Sequence, residues 1–172
     1  MTNLFPVTVG MTRKLAMTIA NRLRQYLESE KISYDIVAHA RTATSSRTAQ
    51  AAHLSGELVV KSVVVHHELG YVLAVAPSTH RVELGTLQAL LDRRLGLATE
   101  DETAKLFDDC DRGAIPPVGS VYGLSVVVDE SLDNVPEVYF EGGDHATLVH
   151  VTGDAFRRLM KDARRFRISH HA

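Results

Sequence analysis

Three short stretches of this 172-residue chain hold residues whose types could do chemistry. Lys61 stands inside Leu-Val-Val-Lys-Ser-Val-Val-Val (58–65), a run whose β-branched residues predict a strand. Alternation sets Val59, Lys61, Val63 and Val65 on one face and Leu58, Val60, Ser62 and Val64 on the other. Both faces read as buried, and an ammonium there needs a partner or an opening to solvent, because an unpaired buried charge is strongly unfavourable. Lys61 is therefore either a cation lining a cleft or a guard on an edge strand. The second stretch is Gly113-Ala-Ile-Pro-Pro-Val-Gly119, where two prolines between two glycines forbid regular structure and make a stiff loop of the kind that shapes sites. The third is Gly142-Gly143-Asp144-His145, a turn that follows a strand and carries a histidine.

Other constellations are poor. The single cysteine, Cys110, excludes an internal disulfide and a cysteine-rich metal site, and reads as a small core residue rather than a nucleophile. Nine histidines include the pairs His66-His67 and His170-His171, but no spacing specifies a metal site, so no metal and no cofactor are expected. A metal-dependent hydrolase built on His145 and His150 is the weakest alternative. No Gly-x-Ser-x-Gly elbow, His-Glu-x-x-His helix, Walker loop or Gly-x-Gly-x-x-Gly fingerprint is present. Arg157, Arg158, Lys161, Arg164, Arg165 and Arg167 form the only concentrated positive patch, either a solvated helical face or an RNA contact.

The elements that must position these residues follow from periodicity. Leu15, Ile19, Leu23 and Leu27 recur every four residues and predict a helix from Met11 to about Lys31. A strand over 34–39 leads to possible caps at Thr44, Ser45 and Ser46 and a short helix through Ala49, Ala51 and Ala52 that should stop at Gly56. His67-Glu68-Leu69-Gly70 reads as a hairpin loop from the Lys61 strand into Tyr71–Ala76. Leu84, Leu87, Leu90 and Leu91 make a helical face, Leu95–Ala98 a short strand, and Thr99 with Glu102 a capping box for a helix to about Phe107. Strands are predicted over 124–128, 135–141 and 147–151, then a basic helix opening at Thr152 to Asp154. The order of elements predicts an α/β (mixed α+β) fold, a mixed, partly antiparallel sheet surrounded by helices. Residues 1–10 read as an arm, 11–167 as a single domain and 168–172 as a tail.

A hydrophobic content of 45%, charged content of 23% and net charge of −2 describe an ordinary globular protein with no global field for nucleic acid. Neither a signal peptide nor a membrane span is visible, so the cytoplasm is the expected location and no membrane partner is expected.

Together the Lys61 strand, the Gly-Pro loop and the Gly-Gly turn resemble the YbaK family of aminoacyl-tRNA deacylases, which includes free-standing ProX-type proteins and the editing insertion of bacterial prolyl-tRNA synthetases. The resemblance spans roughly residues 15–160. It implies that Lys61 is catalytic and that Gly113, Pro117, Gly119, Gly142, Gly143 and His145 bind substrate. It further implies a metal-independent ester hydrolase that acts on the 3′ acceptor end of aminoacyl-tRNA, first of all tRNA for proline carrying a small amino acid. A prolyl-tRNA synthetase is then a further partner. Glu141 stands where cysteine-specific members carry serine, which argues against a cysteinyl substrate, and His39-Ala40-Arg41 replaces the family's His-Pro pair. The alternative is a non-catalytic module that keeps the pocket to sense an aminoacyl group or to dock on a synthetase. Alanine, serine and cysteine differ by few atoms, and one methylene is worth only about 1 to 3 kcal/mol, so the motifs do not name the amino acid. Nor does any interface motif indicate the oligomeric state.

Overall fold

The structure, a computed structural model, describes residues 19–42 and 44–172. The expected N-terminal arm and the start of the first helix, Leu15 included, lie outside the described residues. Helix α1 spans Asn21–Ser29 and buries Leu23 and Leu27 completely, as their four-residue spacing requires. Strand β1 is Asp35–Ala38. Helix α2, Ser45–Ala51, opens on Thr44, whose hydroxyl accepts from the Arg47 amide at 3.2 Å. It ends at Ala52, earlier than the expected stop at Gly56, because His53 takes a left-handed conformation (φ 56°).

Strands β2 (Val60–His67) and β3 (Gly70–Pro77) form the expected hairpin, with Lys61 opposite Ala76 and His67 opposite Gly70. β2 starts two residues late because Leu58 and Val59 are taken by another strand, β7 (Glu137–Glu141): the Leu58 carbonyl accepts from Tyr139 N at 2.8 Å and Val59 bridges to Tyr139. Strand β4 is His80–Val82, helix α3 is Leu84–Leu91 and strand β5 is Gly96–Leu97. The capping box is formed as predicted, Thr99 and Glu102 closing the start of α4 (Glu100–Leu106). Strands β6 (Ser125–Asp129) and β8 (Thr147–Thr152), helix α5 (Gly153–Leu159), β9 (Arg164–Phe166) and β10 (Ser169–His171) complete the chain.

The strands form a five-stranded sheet in the order β5-β2-β3-β6-β9, a three-stranded sheet β1-β8-β7, and a β10-β4 pair. β6 runs parallel to β3 and β9, and every other named pair is antiparallel, so the sheet is mixed as expected. The large core joins Val60, Val64 and Leu73 to Leu23, Leu27, Phe107 and Phe140, while a smaller one sets Val65 and Val127 with Leu87 of α3.

Two expectations about the C-terminus are corrected. The basic helix stops at Leu159, and Arg164 to Phe166 instead extend the five-stranded sheet by pairing with Val127 to Asp129. Residues 168–172 do not trail as a tail: Ile168 is fully buried, and Ser169 to His171 pair with β4. Long-range pairing and burial of Ile168 outweigh a local helical pattern of exposed arginines.

Candidate functional site

A cleft of about 790 Å³ opens where the two larger sheets meet. Ser62, Val63 and Val64 of β2 form its floor, with Leu97, Ala98 and Thr103 on one side. Arg112, Gly113 and Ile115 of the Gly-Pro loop, His145, and Arg41, Thr42 and Arg47 complete it. Gly113 is held at φ +79°, and a β-carbon there would stand 3.4 Å from His145 Cε1, so conformation and space both call for glycine. His145 Nε2 donates to the Arg112 carbonyl at 2.5 Å. Since a carbonyl only accepts, Nε2 carries a proton, and in the neutral ring Nδ1 is then the acceptor.

The cleft is cationic along one wall. Arg41 lies 3.6 Å from Asp111, and Arg112 lies 2.6 Å from Asp101 and 4.0 Å from Glu100, while Arg47 has no carboxylate partner among the described residues. These pairs are solvent-exposed and worth little to stability, which leaves the guanidinium groups available to an anionic ligand. The concentrated C-terminal patch, by contrast, is largely engaged. Arg157 is bonded to Asp154 and the Asp133 carbonyl, Arg158 to the Glu30 carbonyl, Lys161 to Glu30 and Arg165 to Asp133.

Of the expected site residues, Gly113 and His145 come together here and the others do not line the cleft. Lys61 lies outside the cleft lining. Its Nζ donates to the His80 carbonyl on β4, and partial burial, with the Arg81 charge nearby, lowers its pKa. The cleft runs along Ser62, Val63 and Val64, one residue beyond Lys61, whose ammonium reaches toward β4 instead. Pro117 and Gly119 are buried under the loop; a β-carbon on Gly119 would meet Val126 Cγ2 at 2.7 Å and the Leu124 carbonyl at 3.1 Å. Gly142 and Gly143 act as a joint instead. Their carbonyls accept from Ala20 N and Asp111 N, both at 2.7 Å, and a β-carbon on Gly143 would press on Ala20 at 3.0 Å. They tie the entrance of α1 to the loop that carries Gly113.

Behind the cleft, Glu141 ends β7 at 4% exposure. Its Oε1 accepts from Thr48 Oγ1 at 3.1 Å, and its buried Oε2 has no partner among the described residues. Thr48 is fully buried and shares a 2.5 Å hydrogen bond with Thr42 Oγ1. Burial pushes the carboxyl up to about 7, with Thr48 opposing the shift and the Asp144 charge adding to it. Cys110 is inert: burial pushes its thiol up to about 12, the bond to Tyr122 pulling back and the Asp109 charge adding. His150 is a cross-strand tie, 3.0 Å from Asp35 and 3.3 Å from Glu137 and stacked on Tyr139 at 4.4 Å. Among the described residues no group of three or more His, Cys, Asp or Glu is placed to hold a metal ion.

The model of the aminoacyl-tRNA editing domain matches residues 39–159, more than half of the chain and every cleft residue. This chain belongs to that family. The editing domain is similar to a candidate trans-editing enzyme for prolyl tRNA synthetase, at 28% identity over 87% of this chain and 95% of that one, with a TM-score of 0.75. A scaffold protein used for computational grafting of linear epitopes matches at 28% identity over 88% and 97%, with a TM-score of 0.76. The crystal structure of the hypothetical protein APE2540 matches at 20% identity over 87% and 100% with a TM-score of 0.77, a likeness of fold alone. The search of curated proteins gave no match.

Sequence reasoning missed Arg41, Arg47, Arg112 and Thr42 in the editing domain because they are scattered along the chain and meet only through the fold. Ser62 was within reach: alternation had already set it opposite Lys61. Among the described residues no helix is long and apolar enough to cross a membrane.

Proposed function

We propose that the cleft hydrolyses the ester joining a wrongly attached small amino acid to the 3′ end of tRNA, in trans, with tRNA for proline as the substrate class. The observation that carries this reading is the meeting of Gly113 and His145 beneath a wall of three arginines, in the chain segment matched by the editing-domain model. The arginines suit the phosphates of an acceptor end. The ester is already activated, so positioning a water and stabilising charge on the carbonyl oxygen suffice without a strong nucleophile. In its neutral form His145 offers Nδ1 as an acceptor for that water, and the guanidinium groups of the cleft are donors for the developing oxyanion. Likeness to a candidate trans-editing enzyme for prolyl tRNA synthetase supports the choice of tRNA.

One observation favours a second reading. Lys61, to which the family resemblance gives a catalytic role, is bonded to the His80 carbonyl and absent from the cleft lining, as a module that binds an aminoacyl end without cleaving it would allow. Incubation with a panel of mischarged tRNAs decides between the two. Release of the amino acid, abolished in His145→Ala and surviving a strong chelator, is the expected result; protection of the ester from spontaneous hydrolysis would establish the binding module. Loss on chelation would instead move the chemistry to a metal.

A further inference from the structure

We propose that Glu141, acting through Thr48, is a positioning residue that makes Thr42 the hydrogen-bond acceptor for the ammonium group of an aminoacyl substrate in the cleft. This rests on the editing reading and deepens it by naming the substrate group that is read.

Counting protons along the chain Glu141–Thr48–Thr42 fixes which atom donates. A hydroxyl has one proton, and a carboxylate only accepts. With Glu141 ionised, Thr48 therefore gives its proton to Glu141 at 3.1 Å, and its oxygen accepts the proton of Thr42 across 2.5 Å. Thr42 lines the cleft and is left with lone pairs only, which match an ammonium, a donor without acceptors. The buried acid thus sets the polarity of a group it does not touch.

Electrostatics points the same way. An aminoacylated 3′ end is negative at its phosphates and positive at its amine, and the three arginines suit the first and repel the second. Glu100 also lines the cleft, but it is 89% exposed and faces Arg112. A carboxyl at 4% exposure, two hydrogen bonds behind the wall, acts through a medium of low dielectric constant where a charge is felt more strongly. Thr48 from α2 and the Asp144 charge from the turn act on it, and its Oε2 is unpartnered among the described residues. An arriving ammonium would relieve that shortage. A residue selected only for packing would not be an acid with one oxygen orphaned.

Calorimetric binding of 3′-alanylamino-3′-deoxyadenosine, a non-hydrolysable amide, and of its N-acetyl derivative tests the idea without turnover. Wild type should prefer the free amine by about tenfold or more, the worth of one hydrogen bond to a charged group. Thr48→Val should bring the two analogues to similar affinity and Glu141→Gln, which removes the charge but keeps an oxygen to accept from Thr48, should reduce the preference, while Thr48→Ser keeps it. Equal or absent binding of both analogues by wild type, or a preference that survives both Thr48→Val and Glu141→Gln, overturns the proposal. Deacylation without an amine preference sinks this inference alone; an amine preference in a protein that hydrolyses nothing sinks the editing reading alone.

Discussion

Asp129 and Glu141 are carboxyls sealed into the same fold, at 1% and 4% exposure, yet their surroundings drive them in opposite directions. Asp129 Oδ1 accepts from Ser131 N at 2.9 Å, and Oδ2 from Ile168 N at 2.9 Å and Ser169 Oγ at 2.7 Å. Burial alone would raise its pKa, but these donors outweigh burial and hold it below the usual carboxylate range. Glu141 has one hydroxyl donor, and burial wins. The number of donors, not the depth, decides the state of a buried acid. One carboxyl closes the C-terminal strand onto the sheet; the other is kept short of partners beside the cleft, an arrangement that lowers stability and suits a site.

The strongest way to break this comparison is Asp129→Ala. It strips acceptors from Ile168 N and Ser131 N and should lower unfolding free energy by roughly 3–5 kcal/mol, measured by denaturant titration, while turnover per folded molecule persists. Wild-type stability in this variant would mean that the donors around Asp129 contribute nothing. Glu141→Gln should move the other way. A folded pKa raised from 4.5 to about 7 means that the folded state holds a proton the unfolded chain releases, so stability falls as pH rises through that window. At about 1.36 kcal/mol per pKa unit, the variant should gain up to roughly 3 kcal/mol at pH 8 and little below pH 4.5. For Asp129 the sign is opposite: its contribution is complete above the ordinary carboxylate range and is lost as pH falls through its depressed value. Parallel pH–stability curves for wild type and Glu141→Gln would remove the contrast.

What the sequence discloses here is local. The Thr99–Glu102 capping box, the His67–Gly70 hairpin and the spacing of Leu23 and Leu27 were legible because each is settled within a few residues. The family motifs singled out Gly113 and His145, which the fold brings to one cleft. What escaped depends on residues far apart in the chain: which part of β2 borders the cleft, the gathering of Arg41, Arg47 and Arg112, and the capture of Ile168 and Ser169 by Asp129. No periodicity carries that information.

The two glycines of the stiff loop extend the comparison from polar groups to packing. Gly119→Ala presses on Val126 and the Leu124 carbonyl in a closed interior and should lower stability by about 1–3 kcal/mol with activity per folded molecule kept. Gly113→Ala strains a left-handed residue and crowds His145, and should lower kcat by about 10- to 100-fold with about 1 kcal/mol of stability. Thermal melts and single-turnover deacylation on both variants measure this, and equal losses in both would make the loop a turn and nothing more.

The smallest effect is expected at Ser169, where residue types alone suggest a nucleophile. Asp129, Ser169 and His80 are hydrogen-bonded together, yet in the wrong order for acyl transfer, in which a histidine takes the serine proton and a carboxylate holds the histidine. Here Ser169 Oγ gives its proton to Asp129, so its lone pair accepts from His80 Nδ1 at 2.8 Å and no base faces the hydroxyl. The group ties β10 to the sheet. Ser169→Ala leaves Asp129 with two backbone donors and should lower stability by only about 1 kcal/mol, a few degrees in Tm, with deacylation unchanged. Labelling by a fluorophosphonate in wild type, lost together with hydrolysis in an otherwise folded Ser169→Ala, would place acyl chemistry at the satisfied carboxyl and reverse the roles assigned to the two acids.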